Sequence, residues 1–369
     1  MKNNKLLLTT ALATSLVGVN SNLNAQTTIT GDLAVVYSAA SIKNTTLSNR
    51  GFGRESQINV QNKGKLNNGI DYAAGFALEF DGPGSSAGSN TAAIDNSISN
   101  ENLYFDFLFG PTAFTIGIDH KHRGYASTAP QVYSVIDLMT ASNTGTGTTF
   151  VLGGAVGEAM GLGLSHNFMG LTASAHYVPR LRDTGGNDVG AIPVSVGANS
   201  AYEVGISGSP ANMKGLTLKL FHSSQEKQAH TIGGDTSSLN YGVGYNFGQF
   251  AVGVERLIDK NNTNPTAGNA QTLGGAVTTT TREEVTNMVG VTFNVDKNQT
   301  VGVLGYDTEL KGSAAIAGTV KEKVRALQYG YNMGPVALSV TYSRFEGMNY
   351  TSGPAAEGNM GQVRLTTKF

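Results

Sequence analysis

The stretch "LNYGVGYNF", residues 239–247, alternates without exception between two kinds of side chain. Leucine, tyrosine, valine and phenylalanine occupy the odd positions, whereas asparagine and glycine occupy the even positions. Successive side chains of a β-strand point to opposite faces, so this pattern predicts a strand with one bulky face and one small or polar face. After the tight turn "NFGQF", residues 250–255 continue the alternation, which predicts an antiparallel hairpin.

The same alternation recurs along most of the chain and predicts an all-β protein. Sixteen segments carry it, and an even number of strands is typical of a barrel in which the chain runs up and down. The predicted strands lie near residues 28–37, 55–63, 70–80, 100–108, 112–118, 160–168, 171–177, 201–207, 216–222, 239–247, 250–258, 283–295, 300–306, 324–331, 336–344 and 361–369.

Short and long connections follow each other strictly along the chain. Turns such as "FGPT" and "NFGQ" are short, whereas the connections at 81–98, 119–159, 180–200 and 259–281 are long and polar. Successive connections of an up-and-down barrel lie at opposite ends, so the sorting predicts one end with short turns and one end with long loops. A soluble sandwich gives no reason for such sorting.

Three features favour a membrane barrel over a soluble β-protein. The inner-face residues are mostly Gly, Ala, Ser, Thr and Asn, with few of the Lys and Glu ladders expected on solvated strands. Sixteen strands enclose a lumen that side chains cannot fill, so the prediction is a closed, sixteen-stranded antiparallel transmembrane β-barrel with a polar channel. Aromatic residues cluster at the short-turn ends, as an interfacial girdle does. They are Phe109, Phe168, Phe247, Phe293 and Tyr331.

The first 25 residues predict a signal peptide, and residues 26–369 the barrel. Lys2 and Lys5 precede an apolar stretch at 6–19, and Ala25 supplies a small residue for cleavage. Removing the two lysines changes the formal net charge from −1 to −3, which is too small to indicate a nucleic-acid partner. The chain has no cysteine, so disulfides and thiol chemistry are excluded.

The longest connection, between residues 118 and 160, is the candidate constriction loop. Its middle, "APQVYSVIDLM", carries enough apolar surface to pack against a wall, which favours a loop folded into the barrel over one at its surface. Each charge of the loop is alternatively an ordinary solvated group. The candidate constriction residues are Asp119, Arg123, Asp137 and Glu158.

Alternate residues of each predicted strand point into the lumen. Including Asp119 at the start of the third loop, seven acidic and four basic residues are predicted to point into the lumen. This excess of acids predicts a weak preference for cations. The predicted pore-lining charges of the strands are Asp32, Lys63, Glu79, Asp106, Glu203, Lys219, Glu255, Glu284, Arg364 and Lys368.

Two pairs of residues resemble part of a metal site or of a catalytic site, but each lacks what such a site requires. His120 and His122 share a face, but no acid or histidine at a defined spacing supplies a third ligand. Ser174 and His176 both point inward, whereas a lipase-type site of the outer membrane would face the lipid. The sequence therefore predicts no enzyme activity, no cofactor and no metal.

The signal peptide, the first strand "TTITGDLAVVYSA", the sixteen strands, the outsized third loop and the terminal Phe369 together resemble the Gram-negative general diffusion porins. The resemblance is to the alphaproteobacterial-like branch and covers residues 26–369. It implies a homotrimer in the outer membrane, with the third loop folded into each barrel and its acids facing basic wall residues. Phe369 would signal to the barrel-assembly machinery, and lipid and lipopolysaccharide would surround the barrel. The arginine cluster typical of the early strands is missing.

The predicted function is passive diffusion of small hydrophilic solutes and ions. A solute-specific channel would need a ladder of aromatic or basic residues in the lumen, and inward Tyr104 and Phe221 are too few. A non-transporting surface or adhesin barrel would need a plugged lumen. Contacts between the subunits of the trimer are expected on the early strands, where Ala34, Ala74 and Ala77 lie among larger groups.

Overall fold

The computed structural model of the chain describes sixteen β-strands. In the described part of the chain, no helix is long and apolar enough to cross a membrane. The described residues are 25–43, 48–81, 99–117, 128–132, 160–179, 200–225, 236–260, 283–311, 320–347 and 357–369. The strands are β1 (Ala25–Ile42), β2 (Ser48–Lys65), β3 (Asp71–Asp81), β4 (Ser99–Phe109), β5 (Thr112–Gly117), β6 (Gly161–Phe168), β7 (Leu171–Val178), β8 (Ala201–Gly208), β9 (Leu216–Gln225), β10 (Thr236–Asn246), β11 (Phe250–Lys260), β12 (Glu283–Asn294), β13 (Gln299–Lys311), β14 (Val320–Asn332), β15 (Val336–Glu346) and β16 (Gly358–Lys368).

The sixteen strands form one closed barrel in chain order, with each strand antiparallel to its neighbours. The first strand closes on the last, because Asp32 of β1 pairs with Lys368 of β16 and Ala40 pairs with Met360. Closure leaves no unpaired strand edge, which hydrocarbon would not tolerate. The predicted strand number and closure are confirmed. Both early strands are longer than predicted, since β1 extends to residue 42 and β2 begins at residue 48.

Short turns with asparagine and glycine join the strands at one end of the barrel. In the turn between β10 and β11, the Oδ1 atom of Asn246 accepts a hydrogen bond of 3.1 Å from the N–H of Gly248, which has a φ of 101°. Glycine adopts this positive φ without the steric penalty of a side chain. In the turn between β12 and β13, the N–H groups of Asn298 and Gln299 donate to Asp296 and hold the pKa of its carboxyl below the usual value.

The two faces of the barrel wall differ as the alternation predicts. On β10, Tyr241, Val243 and Tyr245 lie on one face and are exposed, and their cross-strand partners on β11 are Arg256, Val254 and Val252. Large exposed apolar side chains on the outside of a closed barrel fit a lipid environment. Near the turns, aromatic rings contact each other on this outer face. The ring centroids of Phe250 and Phe293 are 4.6 Å apart, and those of Phe247 and Phe250 are 5.9 Å apart.

Two of the three alanines expected at a subunit contact lie on the inner face instead. Ala34 has the same parity as Asp32, and Ala77 pairs with Asn59 on the inner face of β2. Both alanines are buried, with 1% and 0% of their surface exposed. Of the three, Ala74 alone points outward. The expected contact was wrong for Ala34 and Ala77 because small residues are frequent on both faces, so residue size does not reveal the face.

Candidate pore constriction

Residues 128–132 belong to the connection between β5 and β6, the third long loop, and they lie against the inner face of the barrel. At one end, the backbone N–H of Thr128 donates a hydrogen bond of 2.8 Å to Oε2 of Glu255 on β11. At the other end, the N–H of Val132 donates a bond of 2.8 Å to Oε1 of Gln328 on β14. These five residues therefore run along the inner face of the wall, from β11 to β14. Part of the predicted constriction loop is thereby held inside the barrel.

The carboxylate that holds Thr128 also forms an ion pair. Nζ of Lys219 on β9 lies 2.7 Å from Oε1 of Glu255, and the two side chains are only 2% and 7% exposed. The strand between them contributes Gly242, which pairs with Lys219 on one side and with Glu255 on the other. Because glycine has no side chain, the lysine can reach across β10. Each charge of a buried ion pair depends on the other, because a buried charge loses its hydration and needs an opposite charge or hydrogen bonds to compensate.

A row of glycines lies beneath the start of the segment. Gly244 of β10, Gly253 of β11 and Gly290 of β12 are successive cross-strand partners on the inner face. A Cβ on Gly244 would lie 2.7 Å from the carbonyl oxygen of Thr128, and one on Gly290 would lie closer still to the carbonyl oxygen of Pro130. Side-chain carbon atoms essentially never approach so closely. The absence of side chains at these three positions therefore makes room for the loop backbone.

Apolar contacts complete the attachment of the loop. A Cβ on Gly302 of β13 or on Gly330 of β14 would lie 3.2 Å or 2.7 Å from the side chain of Val132. Ala129 belongs to a buried apolar cluster on the inner wall, so removal of apolar surface from water adds to the polar anchors. This cluster comprises Ala40, Ala129, Met288, Leu304, Tyr306, Val324, Ala326, Phe345 and Met360.

A closed barrel of sixteen strands with an inwardly folded third loop is the architecture that the sequence predicts for an outer-membrane channel. The family model described as Gram-negative porin matches residues 9–359 of the chain. The chain belongs to the Gram-negative porin family. It therefore forms a diffusion channel of the outer membrane.

Solved structures of other outer-membrane proteins share the fold of this porin. OmpT of Vibrio cholerae, in a trimer form folded in vitro, is 10% identical, with a TM-score of 0.61 over 94% of this chain and 99% of that chain. The anion-selective porin from Comamonas acidovorans is 15% identical, with a TM-score of 0.60 over 94% of this chain and 100% of that chain. A mutant of the Rh. blastica porin is 13% identical, with a TM-score of 0.55 over 93% and 100%. Identities this low establish a shared fold. No curated protein matches the chain.

The pairing register places the ten predicted wall charges of the porin on the inner face of their strands. Lys63 and Lys368 are exposed there, and Asp32 and Glu79 are half-buried. Of the nine charges whose side chains the structure describes, five are buried and do not face open water as expected; the side chain of Glu284 lies outside the described part. These five are Asp106, Glu203, Lys219, Glu255 and Arg364.

The structure brings only some of the predicted residues together. Lys219 and Glu255 form the ion pair, and Asp32 and Lys368 are cross-strand partners at the closure of the barrel. Asp106 accepts a hydrogen bond from the hydroxyl of the neighbouring wall residue Thr115. The four predicted loop residues, Asp119, Arg123, Asp137 and Glu158, lie outside the described residues. Within the described ranges, no three His, Cys, Asp or Glu residues are grouped so as to hold a metal ion.

Several residues at the constriction were missed by sequence reasoning. Thr128 and Gln328 carry no distinctive motif, and their contact joins positions far apart in the chain. The alternation predicts a small or polar face for Gly244 and Gly253 and gives no distinct role to them or to Gly290. A signal for them was present, since inward glycines at matching levels of three successive strands predict a site where another backbone approaches the wall.

The chain terminus contributes to closure of the porin barrel. The N–H of Phe369 donates a hydrogen bond of 3.0 Å to the carbonyl oxygen of Gly31, and the N–H of Gly31 donates one of 2.8 Å in return. The ring of Phe369 lies over Gly31, where a Cβ would be 2.6 Å from Cζ. Half of the side chain remains exposed. The last residue is therefore a part of the β1–β16 seam as well as an exposed aromatic group.

Proposed function

We propose that this porin is a general diffusion channel that small hydrophilic solutes and ions cross passively, and that its third loop narrows the passage. The observation that supports this proposal is the attachment of residues 128–132 to the inner wall by Glu255 and Gln328. A sixteen-stranded barrel encloses a lumen wider than its side chains can fill. A loop held inside such a lumen reduces the open cross-section without closing it. Selection then depends on solute size and on the charges at the narrow part.

The described aromatic residues favour general diffusion over solute-specific binding. Tyr104 is buried and accepts a hydrogen bond from Gln61, and the ring of Phe221 is buried over Gly205. A solute that stacks on aromatic rings needs accessible faces along its path, and these two rings do not supply them. The proposal therefore includes no solute-binding step.

The water-facing charges of the inner wall support at most a small ion preference. The expected cation preference counted seven inward acids against four bases, but Asp106, Glu203 and Glu255 are buried and Glu255 is paired with Lys219. Among the described inner-face side chains that reach water, three acids and three bases balance. These are Asp32, Asp71 and Glu79, and Lys63, Lys65 and Lys368. We propose that the open channel discriminates weakly between small cations and anions.

The biological setting that we propose follows the family. The chain is exported by a signal peptide at residues 1–25, its barrel spans residues 26–369, and three copies associate in the outer membrane among lipid and lipopolysaccharide. A trimer form of the OmpT structure and the exposed apolar outer wall support association. The barrel-assembly machinery would insert the porin and recognise its terminal Phe369.

Swelling of liposomes that contain the purified porin tests the proposed function. Uncharged sugars of increasing size should enter at rates that fall smoothly with size and do not saturate with concentration. Liposomes without protein provide the control. Absence of swelling with the smallest sugar would show a plugged barrel, and saturable uptake of one sugar would show a specific channel. Either result would contradict general diffusion.

A further inference from the structure

We propose that Gly244, Gly253 and Gly290 are positioning residues that set the depth of the third loop in the barrel, and thereby the size limit of the channel. We call these three residues the glycine track. The inference rests on the proposed function, because the position of the loop matters only if solutes pass beside it. It assigns a role to the wall beneath the loop, in addition to any charges that the loop itself carries.

The glycine track is occupied by the backbone of the loop, whereas several other inner-face glycines are covered by side chains. Gly75, Gly161 and Gly205 are each filled by a wall side chain, those of Tyr104, His176 and Phe221 respectively. At the three track positions, in contrast, the nearest atoms belong to Thr128 and Pro130 of the loop. The inner wall from β10 to β12 therefore leaves room for another backbone segment, and residues 128–130 of the third loop fill that room.

The chemistry of the occupant fits a groove without polar side chains. Pro130 has no N–H, so its nitrogen can lie against Gly290 without leaving an unsatisfied donor. The N–H groups on either side of the track do have acceptors, since Thr128 donates to Glu255 and Val132 donates to Gln328. Two side-chain anchors thus fix where the segment lies along the wall. The glycines between the anchors determine how close to the wall it lies.

Substitution of a track glycine by alanine adds a single methyl group and should change the distance of the loop from the wall. A methyl group at Gly253 or Gly290 would overlap loop atoms and displace the segment toward the channel axis, or release it from the wall. Displacement lowers the single-channel conductance, and release raises it. Gly53 offers a matched control, because it pairs with Val36 on the inner face of β2 and has no atom within 4 Å of an added Cβ.

The experiment compares Gly253→Ala, Gly290→Ala and Gly53→Ala in planar bilayers and in sugar-swelling assays. The track variants should assemble with the yield of the control, and should differ from it in conductance and in size limit. A purely structural role would lower assembly yield and leave the conductance of the assembled channels unchanged. Conductance and size limits equal to those of the Gly53→Ala variant would overturn the proposal, while a wild-type channel that conducts keeps the proposed function intact.

A disulfide test checks the position of the loop on which the proposal rests, and it applies even if a track variant fails to assemble. The chain has no cysteine, so Val132→Cys with Gly330→Cys introduces the only thiols. The Cγ1 atom of Val132, whose place a cysteine sulfur can take, lies 2.7 Å from the position of a Cβ on Gly330, so the two cysteine side chains would be in direct contact. Oxidation should cross-link the assembled porin and leave its conductance at the wild-type value. Val132→Cys with Gly53→Cys, on a different wall, should stay reduced. Failure of the first pair to cross-link in conducting channels would overturn the position of the loop against the inner wall, on which the role of the glycine track depends.

Discussion

Lys219 of β9 and Glu255 of β11 form an ion pair of 2.7 Å across Gly242, with both side chains almost fully removed from water. The same carboxylate accepts the N–H of Thr128, which lies 127 positions earlier in the chain. One side chain therefore joins the barrel wall to the loop inside it. The position of the loop therefore depends on where this carboxylate is held.

Replacement of Glu255 by glutamine should weaken both the barrel and the attachment of the loop. The variant keeps a hydrogen-bond acceptor near Thr128 but removes the charge that forms the 2.7 Å ion pair with the buried Lys219. Breaking a buried ion pair by removing one partner typically costs about 3–5 kcal/mol. We expect a lower temperature of heat dissociation on a denaturing gel and larger current fluctuations in single channels.

The exposed pair Lys260–Glu283 provides the control for that substitution. Its nitrogen and oxygen atoms are 3.9 Å apart and both side chains are well exposed, so Lys260→Gln should cost no more than about 1 kcal/mol. A double variant, Lys219→Met with Glu255→Gln, should recover part of the lost stability. Equal dissociation temperatures for Glu255→Gln and Lys260→Gln would show that the buried pair does not stabilise the porin.

Removal of the second anchor should free the other end of the loop segment. Gln328→Leu deletes the acceptor of the Val132 N–H, and the loss of a buried hydrogen bond costs about 1–3 kcal/mol. We expect more frequent current fluctuations with little change in assembly yield. Gln362→Leu is the matched control, since Gln362 is a buried inner-face glutamine that donates to the wall residue Ser38. Quiet single-channel records from Gln328→Leu would contradict an anchoring role.

Ion selectivity should respond to the exposed lysines of the inner wall. We expect a small reversal potential for the wild type under a KCl gradient, because the described water-facing charges balance. Lys63→Gln removes an exposed inner positive charge and should move the reversal potential toward cation selectivity. Lys297→Gln, in the short turn between β12 and β13, should leave it unchanged. A strong reversal potential of either sign in the wild type would show that other charges control permeation.

Loss of the terminal residue should impair assembly more than conductance. Deletion of Phe369 removes two backbone hydrogen bonds of the β1–β16 seam together with the ring over Gly31, so the yield of folded porin should fall several-fold. The channels that do assemble should conduct normally. Phe369→Ala separates the two contributions, because it retains the backbone bonds. A wild-type yield after deletion would contradict a role in assembly.

The alternation of side chains is sufficient to predict the fold, because a period of two assigns every strand residue to a face. It predicts that Glu255 and Lys219 share the inner face, but their burial depends on a loop segment distant in sequence. The pairing of Lys219 with Glu255 also depends on the register of two intervening strand contacts. Residue size, in contrast, does not predict the face of Ala34, which shares the parity of Asp32 and is buried on the inner face. The sequence alone does not reveal the glycine track, because the three glycines become neighbours only through the pairing register of β10, β11 and β12.

The conductance of the purified porin in a planar lipid bilayer tests the central claim most directly. An open barrel narrowed by its third loop predicts stepwise current increases of uniform size, with a conductance that rises in proportion to the salt concentration. Solutes small enough to pass should leave the steps unblocked. Membranes that stay electrically silent despite the presence of folded porin would contradict a water-filled channel.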